Sequence, residues 1–141
     1  MAKIMCIDDD RDILESCRMT LEKAGHTVEC ASSGKEGLTK MKAFRPDLFL
    51  LDVMMDDLTD GFHTAYAIRH DADVKDKPII MLTSINKETG LGFNKDKDGN
   101  FLPVDEFIEK PIAPKLLIEL VAKLLQMPKN KINMGGTTSM Y

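Results

Sequence analysis

Several acids, a threonine and a lysine in this chain of 141 residues fall just after short apolar runs. Asp8 and Asp9 follow Ile4-Met5-Cys6-Ile7, and Asp52 follows Leu48-Phe49-Leu50-Leu51. Thr83 closes Ile79-Ile80-Met81-Leu82, and Lys110 comes just after Phe107-Ile108. If these runs are parallel strands of one sheet, the five side chains meet beyond its carboxyl edge, where open α/β sheets hold their ligands. Three carboxylates in one place repel one another, so the site needs a cation. Oxygen-only ligands in a hydrated setting favour Mg²⁺, at about 2.0–2.1 Å. The Thr83 hydroxyl and the Lys110 ammonium suit the oxygens of a dianionic phosphoryl group. The set reads as a carboxylate nucleophile beside a charge-neutralising metal, the apparatus of phosphoryl transfer.

The stretches between the runs carry helical spacing. Asp10 is a good N-cap before Ile13, Leu14, Cys17, Leu21 and Ala24, and Gly25 suits the position just past the helix end. Thr27 to Ala31 reads as a second strand. Ser33 and Glu36 make an S-x-x-E capping box before Leu38, Met41 and Phe44, and Pro46 stops that helix. Beyond an acid-rich loop, Phe62, Ala65 and Ile68 mark a third helix. Pro114 suits a first helical position, and Leu116, Leu117, Leu120, Val121, Leu124 and Leu125 form one apolar face that ends before Pro128. Gly90, Gly92, Gly99 and Pro103 leave room for only a turn or two of helix in the fourth crossover, which is expected to be mostly loop. Five strands alternating with helices predict an α/β fold, an open parallel sheet covered on both faces. The domain is expected over residues 1–127, with a mobile tail over 128–141.

Composition narrows the partners. Nineteen basic against twenty-three acidic residues give a net charge of −4, which favours neither nucleic acid nor an anionic membrane surface. Hydrophobic residues at 43% supply a real core. The apolar runs fall far short of the roughly 20 residues that span a bilayer, and the N-terminus lacks a secretory pattern. Cys6, Cys17 and Cys30 are odd in number and form no C-x-x-C, so neither a disulfide framework nor a thiolate metal site is indicated. A reduced cytoplasm is the natural setting.

The order of these motifs resembles the receiver domain of two-component response regulators, from about Ala2 to Met127. The resemblance is carried by I-D-D-D at Ile7 to Asp10, L-L-D-V-M-M at Leu50 to Met55 and Asp60-Gly61. It continues through M-L-T-S at Met81 to Ser84 and E-K-P at Glu109 to Pro111. It implies a flavodoxin-like doubly wound sheet in the order 2-1-3-4-5. It further implies that Asp52 takes a phosphoryl group from a sensor histidine kinase, a phosphotransfer protein or a small acyl phosphate. Asp9 and Asp52 would ligate Mg²⁺ directly, with the Met54 carbonyl as a third protein ligand and Asp8 acting mainly through water. Thr83 and Lys110 would bind the phosphoryl oxygens. Phe107 stands at the family's aromatic switch position, turning inward as Thr83 moves. The short stretch after Met127 adds the expectation of a stand-alone receiver, and the resemblance implies one that helps catalyse its own phosphorylation and dephosphorylation without being a conventional enzyme. It would signal through an unidentified output protein and leaves a homodimer open.

Three departures from the family pattern modify these expectations. Asp56 replaces the usual proline, and the stretch from Asp52 to Gly61 is one residue longer than usual, which alters the path past Met54. Thr83 and Lys110 are 110 − 83 = 27 positions apart, several more than usual, so the surface around the fourth helix should be remodelled. Phe107 lacks a tyrosine hydroxyl, so a switch there must work by packing. Two other functions compete: a phosphate-independent interaction module of the same fold, and a Mg²⁺-dependent phosphohydrolase using Asp52, for which the chain provides little substrate pocket. Residues 94–105 resemble a Ca²⁺ loop through Asn94, Asp96, Asp98, Gly99 and Asp105. Asn in first place, Asp in twelfth and Pro103 in tenth make a polar surface loop the expectation. His26, His63 and His70 have no ligand-like grouping and are expected at the surface.

Overall fold

Side chains alternate across a strand, so a strand with helices on both sides must be apolar at every position. In the computed structural model, which describes residues 2–52, 60–83 and 104–126, this holds for the central strands. β1 (Lys3–Ile7), β2 (Thr27–Ala31), β3 (Leu48–Asp52), β4 (Ile79–Thr83) and β5 (Glu106–Glu109) form one parallel sheet in the order β2-β1-β3-β4-β5. Ile4, Cys6, Leu48, Leu50, Ile80 and Leu82 enter one core, which α1 (Arg11–Lys23) and α4 (Pro114–Gln126) complete with Leu14, Cys17, Leu21, Leu117, Val121 and Leu124. Met5, Ile7, Phe49, Leu51, Ile79 and Met81 enter the other, against α2 (Gly34–Phe44) and α3 (Asp60–Arg69). The expected fold class and strand order are those observed.

Local chemistry sets the helix ends that lead into the site. The Asp10 side chain accepts the Asp12 N–H at 2.9 Å and starts α1 directly after the acidic pair. At its far end the Gly25 N–H donates to the Glu22 carbonyl and the His26 N–H to the Leu21 carbonyl, each at 3.0 Å. This is a Schellman turn, and it requires the positive φ of 99° that Gly25 adopts. Ser33 Oγ accepts the Glu36 N–H at 3.0 Å, as the capping box predicts. Glu36 closes the box one residue early, on the Ser32 N–H at 2.7 Å and the Ser32 hydroxyl at 2.9 Å. Lys40 then ties α2 to the outer strand β2: its Nζ donates to the Cys30 carbonyl at 2.8 Å and lies 3.0 Å from Glu36 and 3.3 Å from Glu29.

Two expectations about the core are corrected. Ala24 caps α1 instead of joining its buried stripe, because the chain turns there. Leu116 remains 49% exposed: the surface that α4 buries follows Leu117, Val121 and Leu124, and Leu116 lies a helical step to one side. α2 and α3 pack closely because Gly34 has no side chain; a Cβ there would overlap Thr64 Oγ1. The fourth crossover, residues 84–103, and the tail, residues 127–141, lie outside the described residues, as does the boundary drawn at 127.

Candidate functional site

Parallel strands deliver their carboxyl ends to one edge of the sheet, and here that edge gathers the expected side chains. Asp8 follows β1, and its N–H is held by the Ala31 carbonyl of β2 at 3.0 Å. Its Oδ1 accepts the Asp10 N–H at 2.9 Å, which fixes the carboxylate where β1 passes into α1. Asp52 ends β3 and is 3% exposed, whereas Asp8 is fully buried and Asp9 is exposed. Carboxylate oxygens of Asp8, Asp9 and Asp52 all lie within 4.8 Å of one another. Two of the three acids therefore sit in the core's margin, where an ionised carboxylate needs a nearby positive charge.

Lys110 supplies one. Its backbone N–H donates to the Thr83 carbonyl at 2.7 Å, extending the β4–β5 ladder past its last paired residues, Thr83 and Glu109. From that anchor the ammonium reaches 2.8 Å from Asp8 Oδ2 and 3.4 Å from Asp52 Oδ1. The Asp8 contact is a charge contact rather than a well-directed hydrogen bond, since Oδ2 has no hydrogen-bond partner of good geometry among the described residues. Burial is the largest influence on Lys110 and opposes its charge, but Asp8 first and Asp52 second outweigh it, holding the ammonium above its ordinary pKa. Lys110 is thus a fixed cation over two of the three carboxylates.

Thr83 is 2% exposed, and its Oγ1 has no hydrogen-bond partner among the described residues. Burying a hydroxyl without a partner costs free energy, so this one is suited to a ligand oxygen arriving at the strand ends. The donor chemistry of the site divides into two sets. Clustered carboxylate oxygens fit a hard, oxygen-preferring cation, while a hydroxyl and an ammonium fit an anion placed against Asp52. Phe107, the β4–β5 partner of Met81, is half-buried and packs against the core beneath α2 and α3.

The edge therefore brings together Asp8, Asp9, Asp52, Thr83 and Lys110. Met54, together with Asp56 and the rest of residues 53–59, lies outside the described residues. His63 and His70 are exposed as expected. His26 is a correction, being half-buried with Nδ1 accepting the Ala2 N–H at 3.1 Å.

Of the suggested Ca²⁺ loop only Asp105 lies within the described residues. Its carboxylate faces the opposite end of the sheet, where Oδ2 accepts the Ile79 N–H at 2.8 Å and pairs with Arg69 Nη2 at 2.7 Å. The Arg69–Asp105 pair is absent from the sequence reading. Its members are 36 positions apart with no periodic pattern between them, and an acid at the end of an acidic loop resembles a metal ligand.

Residues 4–122 match the family described as the response regulator receiver domain. The response regulator MprA of Mycobacterium ulcerans is 35% identical over 127 residues, covering 90% of this chain and 51% of that protein. A probable transcriptional regulator, ycf27, of Cyanophora paradoxa is 35% identical over 129 residues, covering 91% of this chain and 50% of its own. The chain thus spans about half the length of these curated relatives. Among solved structures, the chemotaxis protein CheY4 of Vibrio cholerae superimposes with a TM-score of 0.76 at 31% identity, covering 88% of this chain and 98% of that one. A CheY-like receiver domain protein of Methanospirillum hungatei gives 0.73 at 28% identity, over 89% and 94%. No helix among the described residues is long and apolar enough to cross a membrane.

Proposed function

The chain belongs to the response regulator receiver domain family, and from that premise we propose that Asp52 accepts a phosphoryl group in a Mg²⁺-dependent reaction and that the modified domain changes its protein partners. The donor is a sensor histidine kinase, a phosphotransfer protein or a small acyl phosphate. The observation that carries this reading is the meeting of the three carboxylates within 4.8 Å, with the Lys110 ammonium 3.4 Å from Asp52.

An Asp52 carboxylate oxygen attacks phosphorus, forming an O–P bond. The bond from phosphorus to the donor's nitrogen or oxygen breaks, and the leaving atom keeps the electron pair. Asp9 and Asp52, with the Met54 carbonyl as a further ligand and Asp8 acting mainly through water, would hold Mg²⁺, which when bound supplies neutralising charge to the phosphoryl oxygens. Lys110 and the Thr83 hydroxyl bind those oxygens, so Lys110 exchanges part of its carboxylate contact for a phosphoryl contact. Movement of Thr83 toward the new group opens space beside β4, and Phe107 turns inward by packing alone. The extent of switching equals the difference in free energy that the phosphoryl group makes between the two arrangements.

Treatment with phosphoramidate and Mg²⁺ followed by intact mass measurement tests the reading. One phosphoryl increment is expected in the wild-type chain, none in Asp52→Ala, and none after chelation of the metal. An unmodified wild type, as a phosphate-independent module would be, or an increment that survives Asp52→Ala, overturns it.

A further inference from the structure

The end of the sheet opposite the acids holds a buried ion pair that the phosphoacceptor chemistry does not use. Arg69 closes α3, and its side chain is 8% exposed. Its Nη1 donates to the carbonyls of Lys75 and Lys77 at 3.0 and 2.6 Å, and its Nη2 pairs with Asp105 Oδ2 at 2.7 Å. Burial, the largest influence on Arg69, opposes its charge, and Asp105 is the main group restoring it. Asp105 also grips β4 twice: Oδ2 accepts the Ile79 N–H at 2.8 Å, and its own N–H donates to the Ile79 carbonyl at 2.9 Å. These contacts join α3, the start of β4 and the start of β5.

We propose that Asp105, locked by Arg69, is a positioning residue that fixes the register of β5 on β4 and so sets where Lys110 stands over Asp8 and Asp52. The proposal rests on the phosphoacceptor reading for its functional consequence. A hairpin turn dictates register, but parallel strands are joined by crossovers and receive no such instruction, so the ladder needs a pin of its own. Asp105 precedes the first β4–β5 pair, Ile80 with Glu106, and the last pair, Thr83 with Glu109, immediately precedes Lys110. At about 3.3 Å per residue the pin acts across roughly 16 Å of strand. A slip of one residue would exchange the faces of Phe107 and Ile108 and carry Lys110 away from the Thr83 carbonyl. Asp105 touches neither the carboxylates nor the phosphoryl site; it acts through Lys110.

The full chain is compared as wild type, Asp105→Ala and Asp105→Asn, the last keeping a side-chain oxygen for the Ile79 N–H. Three readouts separate register from general damage: Mg²⁺ affinity by calorimetry, phosphorylation rate with phosphoramidate, and exchange of the Lys110 amide hydrogen. The carboxylates proposed to hold Mg²⁺ stand at the ends of β1 and β3, so its affinity is expected not to fall in Asp105→Ala, and to rise as the Lys110 ammonium moves away from them. Phosphorylation should slow by about tenfold or more as the ammonium is misplaced. Lys110 amide exchange should quicken by about tenfold or more as its bond to Thr83 opens. Asp105→Asn should restore most of both. Wild-type rates and Lys110 protection in a folded Asp105→Ala overturn the proposal, as do losses that extend equally to Mg²⁺ binding and are not restored by asparagine. Should Asp105→Ala not fold, Arg69→Met carries the same expectations and the same overturning results. If the wild type takes no phosphoryl group, the functional reading fails, while the Lys110 amide still decides the register.

Discussion

At the scale of single residues, two charges can be perturbed with opposite expectations. Lys110 lies 2.8 Å from Asp8 and 3.4 Å from Asp52, so its ammonium occupies the field that a divalent ion would enter. Lys110→Ala is expected to retain Mg²⁺ binding and to tighten it, since like charges brought into one pocket oppose each other. The same variant should lose most of the chemical-shift change produced by a phosphoryl mimic; equal changes in wild type and variant would remove Lys110 from the response. Glu36 supplies a pH test. Hydrogen bonding from the Ser32 backbone first, then Lys40, then the Ser32 hydroxyl, holds its carboxyl down from 4.5 to about 2. A folded-state pKa below the unfolded one means the stabilisation is complete above the unfolded value and is lost as pH falls through the folded one. The side chain is 38% exposed, so water screens much of the effect, leaving about 1 kcal/mol. Glu36→Gln should therefore be less stable than wild type at neutral pH by denaturant unfolding. The gap should close between the unfolded value of 4.5 and the folded value of about 2.

At the scale of elements, the contact of α2 with α3 depends on a missing side chain. Gly34→Ala would drive a methyl group into Thr64 Oγ1, and Thr64 is nearly fully buried. Overpacking of this kind costs about 1–3 kcal/mol, readable as a lower midpoint in urea at unchanged slope. In a Thr64→Ala background the cost should fall below about 1 kcal/mol, because the two sites share one contact. That contact also shows which elements the amino-acid order discloses. The strands, the Asp10 and Ser33 caps and the Gly25 turn follow from residues within a few positions of one another, and they stand where the local signals put them. The meeting of Asp8, Asp52, Thr83 and Lys110 was legible because each follows an apolar run, but the order of those runs in the sheet came from family resemblance and not from periodicity. Gly34 with Thr64 and Arg69 with Asp105 were not legible, since each pair is made by packing between elements and leaves no spacing to read. Glu36 shows the limit within one turn: the capping residue is apparent, yet the serine it closes on is set by backbone geometry.

At the scale of the whole molecule, the proposed metal site at the acidic edge would link folding to Mg²⁺. A ligand that binds only the folded chain stabilises it by about 2.7 kcal/mol at a hundred times its dissociation constant. Thermal unfolding should accordingly shift upward with added Mg²⁺, and Asp52→Asn, which removes one of the clustered carboxylates, should abolish most of the shift. A Mg²⁺-dependent rise of equal size in the variant would place the ion elsewhere. The opposite flank of the sheet has a consequence of another kind. β2 is its terminal strand, and Lys40 Nζ seats on the Cys30 carbonyl there. A bare outermost strand is a template on which foreign strands add and fibrils grow. With a charged ammonium seated on one of its carbonyls, that strand is a poorer template for the addition of foreign strands.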